Sequence, residues 1–134
     1  MIRIEFLRLK NIMRLRKLPF DWKRMDIIRH HNRGMSGESR KHFICKCICS
    51  KILYDAKHTH FTEYDFPNEA VADIYDATAN TVIEFESESD RKKEAVKLLQ
   101  FKPYVREVFV IDIAEFPEND VFVIEREIRN RIGV

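Results

Sequence analysis

The sequence predicts an α/β domain, a mixed β-sheet flanked by helices, and three observations lead there. Three β-prone runs, in "HTHFTEYDF", "AVADIY" and "VIEFES", follow one another across short turns containing Pro67-Asn68 and "DATANT". Next comes a capped amphipathic stretch, "SESDRKKEAVKLLQF", and then a continuous apolar run, "VREVFVIDI", which together make a strand–helix–strand unit. Finally, three glycines and four prolines in 134 residues leave little chain for irregular structure. With 45% hydrophobic and 34% charged residues the chain is globular rather than disordered, and its length suits one core.

Each element has its own local reason. Residues 1–33 read as helical, with Ile4, Leu7, Ile12, Leu15 and Leu18 near helical spacing until Pro19 interrupts. "RHHNRGMSGES" holds two of the three glycines and is the best linker, which places a boundary between an arm, 1–37, and a domain, 38–134. Ser36 or Gly37 caps a helix over residues 38–54, with Phe43, Cys47 and Leu53 among its apolar positions. Strands are expected over 58–66, 70–75 and 82–87. Ser89 caps the next helix, whose Ala95, Leu98 and Leu99 are expected to face inward. The run 105–113 reads as a strand covered on both faces. After Pro117, "ENDVFVIEREIRNRI" reads as a closing helix, although "VFVI" is β-prone. The expected order is helix, three strands, helix, strand, helix.

Charge divides the chain. The arm has ten Lys/Arg against three Asp/Glu, whereas the domain has fourteen against nineteen. A basic arm bearing Arg14, Arg16 and Lys17, with Phe20 and Trp22 for stacking, suits a polyanion such as nucleic acid. Its Ile/Leu stripe also suits a dimer contact or a membrane surface. Three cysteines within five residues cannot form a disulfide framework and point to an intracellular compartment, the cytoplasm. No apolar run is long enough for a membrane span. "HFICKCIC" invites a zinc reading through His42, Cys45 and Cys49 with His58 or His60, but it lacks the paired spacing of structural zinc sites.

The acids of the hairpin carry the functional argument. A two- or four-residue loop centred between Thr78 and Ala79 places Asp73 across from Glu84, on one face and roughly 4.5–5.5 Å apart at Cβ. Opposed like charges destabilise a sheet, and a divalent cation relieves them. The alternative, an odd loop with Asn80 left-handed, shifts the register by one and sets Asp73 against Phe85. Asp76 reads as a turn opener. As for Glu38, it sits at the start of the first helix, with His42 as its i+4 neighbour.

This pattern resembles the PD-(D/E)xK nuclease superfamily, the restriction-endonuclease-like fold, over roughly 75 residues. It is most similar to small archaeal or viral Holliday-junction-resolvase-like members. Asp73 in "VADIYD" matches the family's Asp, Glu84 in "VIEFES" matches its Glu, and Glu86 stands where the family usually has lysine. Glu38 matches a further acid on the first helix. The resemblance implies an αβββαβ core and a metal-dependent nuclease hydrolysing DNA phosphodiester bonds. Asp73, Glu84 and the Phe85 carbonyl are then the ligands of Mg²⁺ (or Mn²⁺), and Asp73, Glu84, Glu86 and Glu38 the catalytic set. Glu86 then acts as general base or second-metal ligand, or a migrated lysine (Lys46, Lys92 or Lys93) replaces the missing one. His42, Lys46, Lys92 and Lys93 are expected near DNA together with the arm. A homodimer is also implied, and a host-cell location if the protein is viral. Two other readings stand beside it: an inactive nuclease fold that binds nucleic acid, and a small interaction module without a metal site.

Overall fold

The structure, a computed structural model, describes residues 40–87 and 91–134. Within them the order is α1 (Arg40–Asp55), β1 (His60–Asp65), β2 (Val71–Asp76), β3 (Thr81–Glu86), α2 (Arg91–Phe101), β4 (Glu107–Asp112) and α3 (Val121–Ile132). The protein is therefore a mixed α/β domain, and every expected element in this range is present. The N-terminal arm, Glu38 and the Ser89 cap lie outside the described residues.

The four strands form one sheet in the order β1-β2-β3-β4. The first three make an antiparallel meander, and β4 runs parallel to β3 after the α2 crossover. Adjacent strand residues point to opposite faces, and β3 sorts the core accordingly. Ile83 and Phe85 join Ile74, Ile111 and Ile113 beneath Cys45, Cys49, Ile52 and Leu53 of α1 and Ile124 and Ile128 of α3. Val82, one residue before Ile83, joins Tyr75, Phe61, Tyr64, Phe66 and Phe101 on the other face. Two helices thus cover one face, while α2 attends the other.

Local chemistry ends the elements where expected. Lys57, at φ 62°, closes α1: its N–H donates to the Tyr54 carbonyl and that of His58 to the Leu53 carbonyl, the paired bonds of a Schellman cap. Asp120 caps α3 by accepting the Val123 N–H, and Gly133 at φ 72° closes it. The β-prone "VFVI" is helical because this cap starts the helix and Ile124 enters the core. Between β2 and β3, Asp76 Oδ1 accepts the N–H groups of Thr78 and Ala79, so Asp76 does open the turn.

Two expectations on packing fail. Ala95, Leu98 and Leu99 do not face inward: all three are exposed, and α2 buries only Phe101. The helix rests on the sheet near its C-terminal end, where Phe101 packs edge-on against Phe66. β4 is an edge strand with Ile111 alone fully buried, so its apolar run is only partly covered. Among the described residues, no helix is long and apolar enough to cross a membrane.

Candidate functional site

Four residues, 77–80, connect β2 and β3, and the observed pairs Asp76↔Thr81, Tyr75↔Val82 and Ile74↔Ile83 bring Asp73 to the position across from Glu84. Asn80 is left-handed at φ 56°, yet the loop stays even, so the shifted register is not adopted. The β2–β3 pairing stops at Ile74↔Ile83, and there carboxylates take over from the ladder. The Asp73 N–H donates to Glu84 Oε2 at 2.5 Å, and the Phe85 N–H donates to Asp73 Oδ2 at 2.8 Å. Each acid satisfies a main-chain donor on the opposite strand that pairing would otherwise have used.

The acids are not gripped from one face, as simple alternation predicts. Glu84, in step with Val82 and Glu86, is held from the α2 side. Lys97 Nζ lies 2.8 Å from Glu84 Oε1 and 2.5 Å from Glu86 Oε1. Asp73 is held from the α1 side, with His42 Nε2 3.2 Å from Oδ2. The cause is a break in alternation. In β2, Ala72 and Tyr75 join the α2-side core although Ile74 lies between them on the α1 side. Opposite Asp73, Glu63 adopts φ 49° in the middle of β1, a region unfavourable for a residue with a side chain. A salt bridge from fully buried Lys46 to Glu63, 2.5 Å long, accompanies this kink.

The electrostatics separate the two acids. Glu84 is 3% exposed, and burial, reinforced by the charge of Asp73, pushes its carboxyl up to about 8 against the opposing pull of Lys97. Burial also works against ionised Asp73, but the hydrogen bond and charge of His42, the Phe85 N–H and the charge of Lys46 outweigh it and hold this carboxyl below its usual range. Burial disfavours the Lys97 ammonium, whereas Glu84 and Glu86 more than restore it, so its pKa is raised and it remains a cation. The pair therefore combines one acid held in its charged form with one whose proton is bound more tightly than usual.

Comparison with protein-family models, curated proteins and solved structures finds no significant match to this chain. The site must be read from its own geometry.

Among the described residues, no group of three or more His, Cys, Asp or Glu side chains converges as metal ligands. The donor set is narrower: Asp73 and Glu84, with Glu86 engaged by Lys97. Two carboxylates suffice for Mg²⁺, which usually retains waters and takes its other ligands from substrate phosphates. Among the described residues, Oδ1 of Asp73 has no hydrogen-bond partner, because both of its bonds use Oδ2. One hard oxygen is thus available at the point where the strands part.

The remaining expected residues have definite places. Lys92 and Lys93 line an open groove of about 490 Å³ with Val96, Lys97, Gln100 and Glu86, so a basic groove adjoins the acids. Lys46 lies in the core beside Glu63 rather than at the surface. Glu38, Arg14, Arg16 and Lys17 fall outside the described residues. The zinc reading gains no support: Cys45 and Cys49 are core residues, and burial pushes the Cys45 thiol up to about 12 and raises that of Cys49 further. His58 and His60 are not simply solvated. His58 Nδ1 lies 2.7 Å from buried Asp76, and Ser50 Oγ lies 2.6 Å from His60 Nε2.

The sequence pattern does not single out Lys97 as a partner of the two acids. A usable signal exists in the 11-residue step from Glu86 to Lys97, which crosses Ser87 and nearly two turns of helix. The helix start alone does not reveal how the helix tilts over the sheet.

Proposed function

We propose that the protein is a metal-dependent nuclease that hydrolyses DNA phosphodiester bonds, with Asp73 and Glu84 at its centre. The observation that carries this reading is the meeting of two acids where the β2–β3 ladder stops, beside a groove lined by Lys92, Lys93 and Lys97. The order helix, three-stranded meander, helix, parallel strand agrees with the restriction-endonuclease-like fold, and the finer fold assignment belongs to the same proposal.

When bound, Mg²⁺ neutralises charge on the phosphate and makes a coordinated water more acidic. Asp73, Glu84 and the Phe85 carbonyl are the residues that would hold it. The chain supplies the rest. His42 and the Phe85 N–H fix Asp73 Oδ2, which leaves Oδ1 without a hydrogen-bond partner among the described residues. Lys92 and Lys93 draw the phosphodiester backbone along α2. Lys97, kept cationic by its two acids, is the lysine to which this reading gives the role of the one missing from the motif. It acts as a fixed positive charge rather than a base, and Glu86 is the adjacent carboxylate able to accept the proton of the attacking water.

The second reading, a nucleic-acid-binding protein that does not cut, is favoured by one observation. Lys97 already bridges Glu84 and Glu86 and offsets part of the charge that would attract a cation.

The test is incubation of the full chain with circular single-stranded, linear duplex and branched DNA, with Mg²⁺ or Mn²⁺ and with chelator. Metal-dependent strand cutting that disappears in Asp73→Asn and Glu84→Gln supports the first reading. Binding without cutting selects the second, and neither binding nor cutting leaves a small interaction module.

A further inference from the structure

Both oxygens of Glu84 are engaged, but in contacts of different kinds. Oε2 accepts the Asp73 N–H at 2.5 Å, a bond that joins β3 to β2, and Oε1 lies 2.8 Å from Lys97 Nζ. The same ammonium lies 2.5 Å from Glu86 Oε1. The first contact comes from a main chain fixed in the sheet. The second comes from the end of a flexible four-carbon stem, so it can be exchanged without disturbing the strands.

Lys97 also has room to move. Its side chain is 24% exposed, and it lines the open groove together with Glu86, Lys92 and Lys93. Phe101 is the residue that α2 buries, so the Lys97 stem is not enclosed in the core. The ammonium thus sits between a buried acid, Glu84, and a more accessible one, Glu86, at the edge of the groove.

An ammonium and a divalent cation on one carboxylate are like charges at close range, and in a largely buried site they repel strongly. We infer, resting on the reading of Asp73 and Glu84 as metal ligands, that Lys97 is the exchangeable counter-ion of the site: it pairs with Glu84 in the metal-free protein and leaves Glu84 when metal binds, while Glu86 keeps it at the groove's edge. The device regulates the site in two ways. Without metal, the internal cation compensates acids whose opposed charges would weaken the sheet. With metal, occupancy needs a higher free concentration, because Lys97 must first give up Glu84. The released charge stays on the groove wall beside Lys92 and Lys93.

The test reads side-chain reactivity and metal affinity rather than cleavage. In the full chain without DNA, acetylation of amines followed by peptide mass spectrometry should show Lys97 reacting severalfold faster once Mg²⁺ is added. Lys92 and Lys93 serve as internal standards, and the rise should be absent in Asp73→Asn. By calorimetry, Lys97→Met should bind Mg²⁺ or Mn²⁺ roughly tenfold more tightly than the parent. Lys97→Gln, a second variant, should do the same, with circular dichroism melts confirming that both are folded. If neither folds, the labelling of the parent decides. A parent that binds metal through Asp73 while the reactivity of Lys97 stays constant overturns the inference and leaves the active-site reading standing. Folded Lys97 variants that bind metal no more tightly than such a parent do the same. Absence of metal binding in the parent and in both variants removes the inference and the active-site reading together.

Discussion

Asp73 and Glu84 each accept a main-chain N–H at the other's strand, yet His42 holds the first from one face of the sheet and Lys97 holds the second from the other. A carboxylate pair of this kind is part of the sheet's hydrogen bonding as well as a site. Substitutions must therefore separate chemistry from structure.

Isosteric replacements do so. Asp73→Asn and Glu84→Gln retain an acceptor oxygen for the Phe85 and Asp73 N–H groups while removing the negative charge. Each should lower metal-dependent DNA cleavage by about a thousandfold or more, the scale of several kcal/mol of lost charge stabilisation. Cleavage assays at matched protein concentration decide this, and undiminished cutting by either variant removes the active-site assignment.

Lys97→Met keeps the length of the side chain and deletes the cation. Glu84 and Glu86 then face each other uncompensated, and because Lys97 is partly exposed the stability cost should be modest, about 1–2 kcal/mol. Cleavage should fall by roughly a hundredfold, while Lys93→Met, in the same groove, should chiefly weaken DNA binding and its dependence on salt. Equal effects of the two variants on turnover would show that Lys97 has no special place.

Glu84 makes stability depend on pH in the less common direction for an acid. Its carboxyl is raised from an ordinary 4.5 to about 8. Between those values the folded protein retains a proton that the unfolded chain has released, so this contribution to stability falls as pH rises through the window. Glu84→Gln cannot lose that proton. Thermal melts from pH 5 to pH 8 in chelator should therefore show the variant gaining on the parent by a few degrees. A constant difference across the window would mean that the carboxyl is not raised.

Lys46 is fully buried and salt-bridged to Glu63, whose backbone is left-handed. Lys46→Met should cost about 3–5 kcal/mol by leaving a partly buried carboxylate unpaired. Lys46→Met with Glu63→Gln should recover part of that loss, measured by urea unfolding. No recovery would indicate that Lys46 matters through packing alone.

Much of this architecture was readable along the chain. The order of the elements and the turn-opening role of Asp76 rest on residues a few positions apart. The register of Asp73 with Glu84 was one of two that the loop allowed, and the observed four-residue connection chose it. The orientation of α2 was misread, because Ala95, Leu98 and Leu99 have the spacing of a core stripe and their spacing alone cannot say whether a neighbour exists to cover it. Asp73 was assigned its face by alternation, and the kink shared with Glu63 interrupts that alternation.

What the sequence by itself determined was thus local: where strands and helices lie along the chain, and which two registers the short turn allows. Only the tertiary structure decided that Lys97 reaches Glu84 and Glu86, that His42 meets Asp73 from the other face, and that Lys46 is enclosed beside Glu63. Those contacts join residues 13, 31 and 17 positions apart, from Glu84 to Lys97, His42 to Asp73 and Lys46 to Glu63. Their physical reason is the placement of helices over a sheet, which depends on how a whole core packs and not on the periodicity of any one segment.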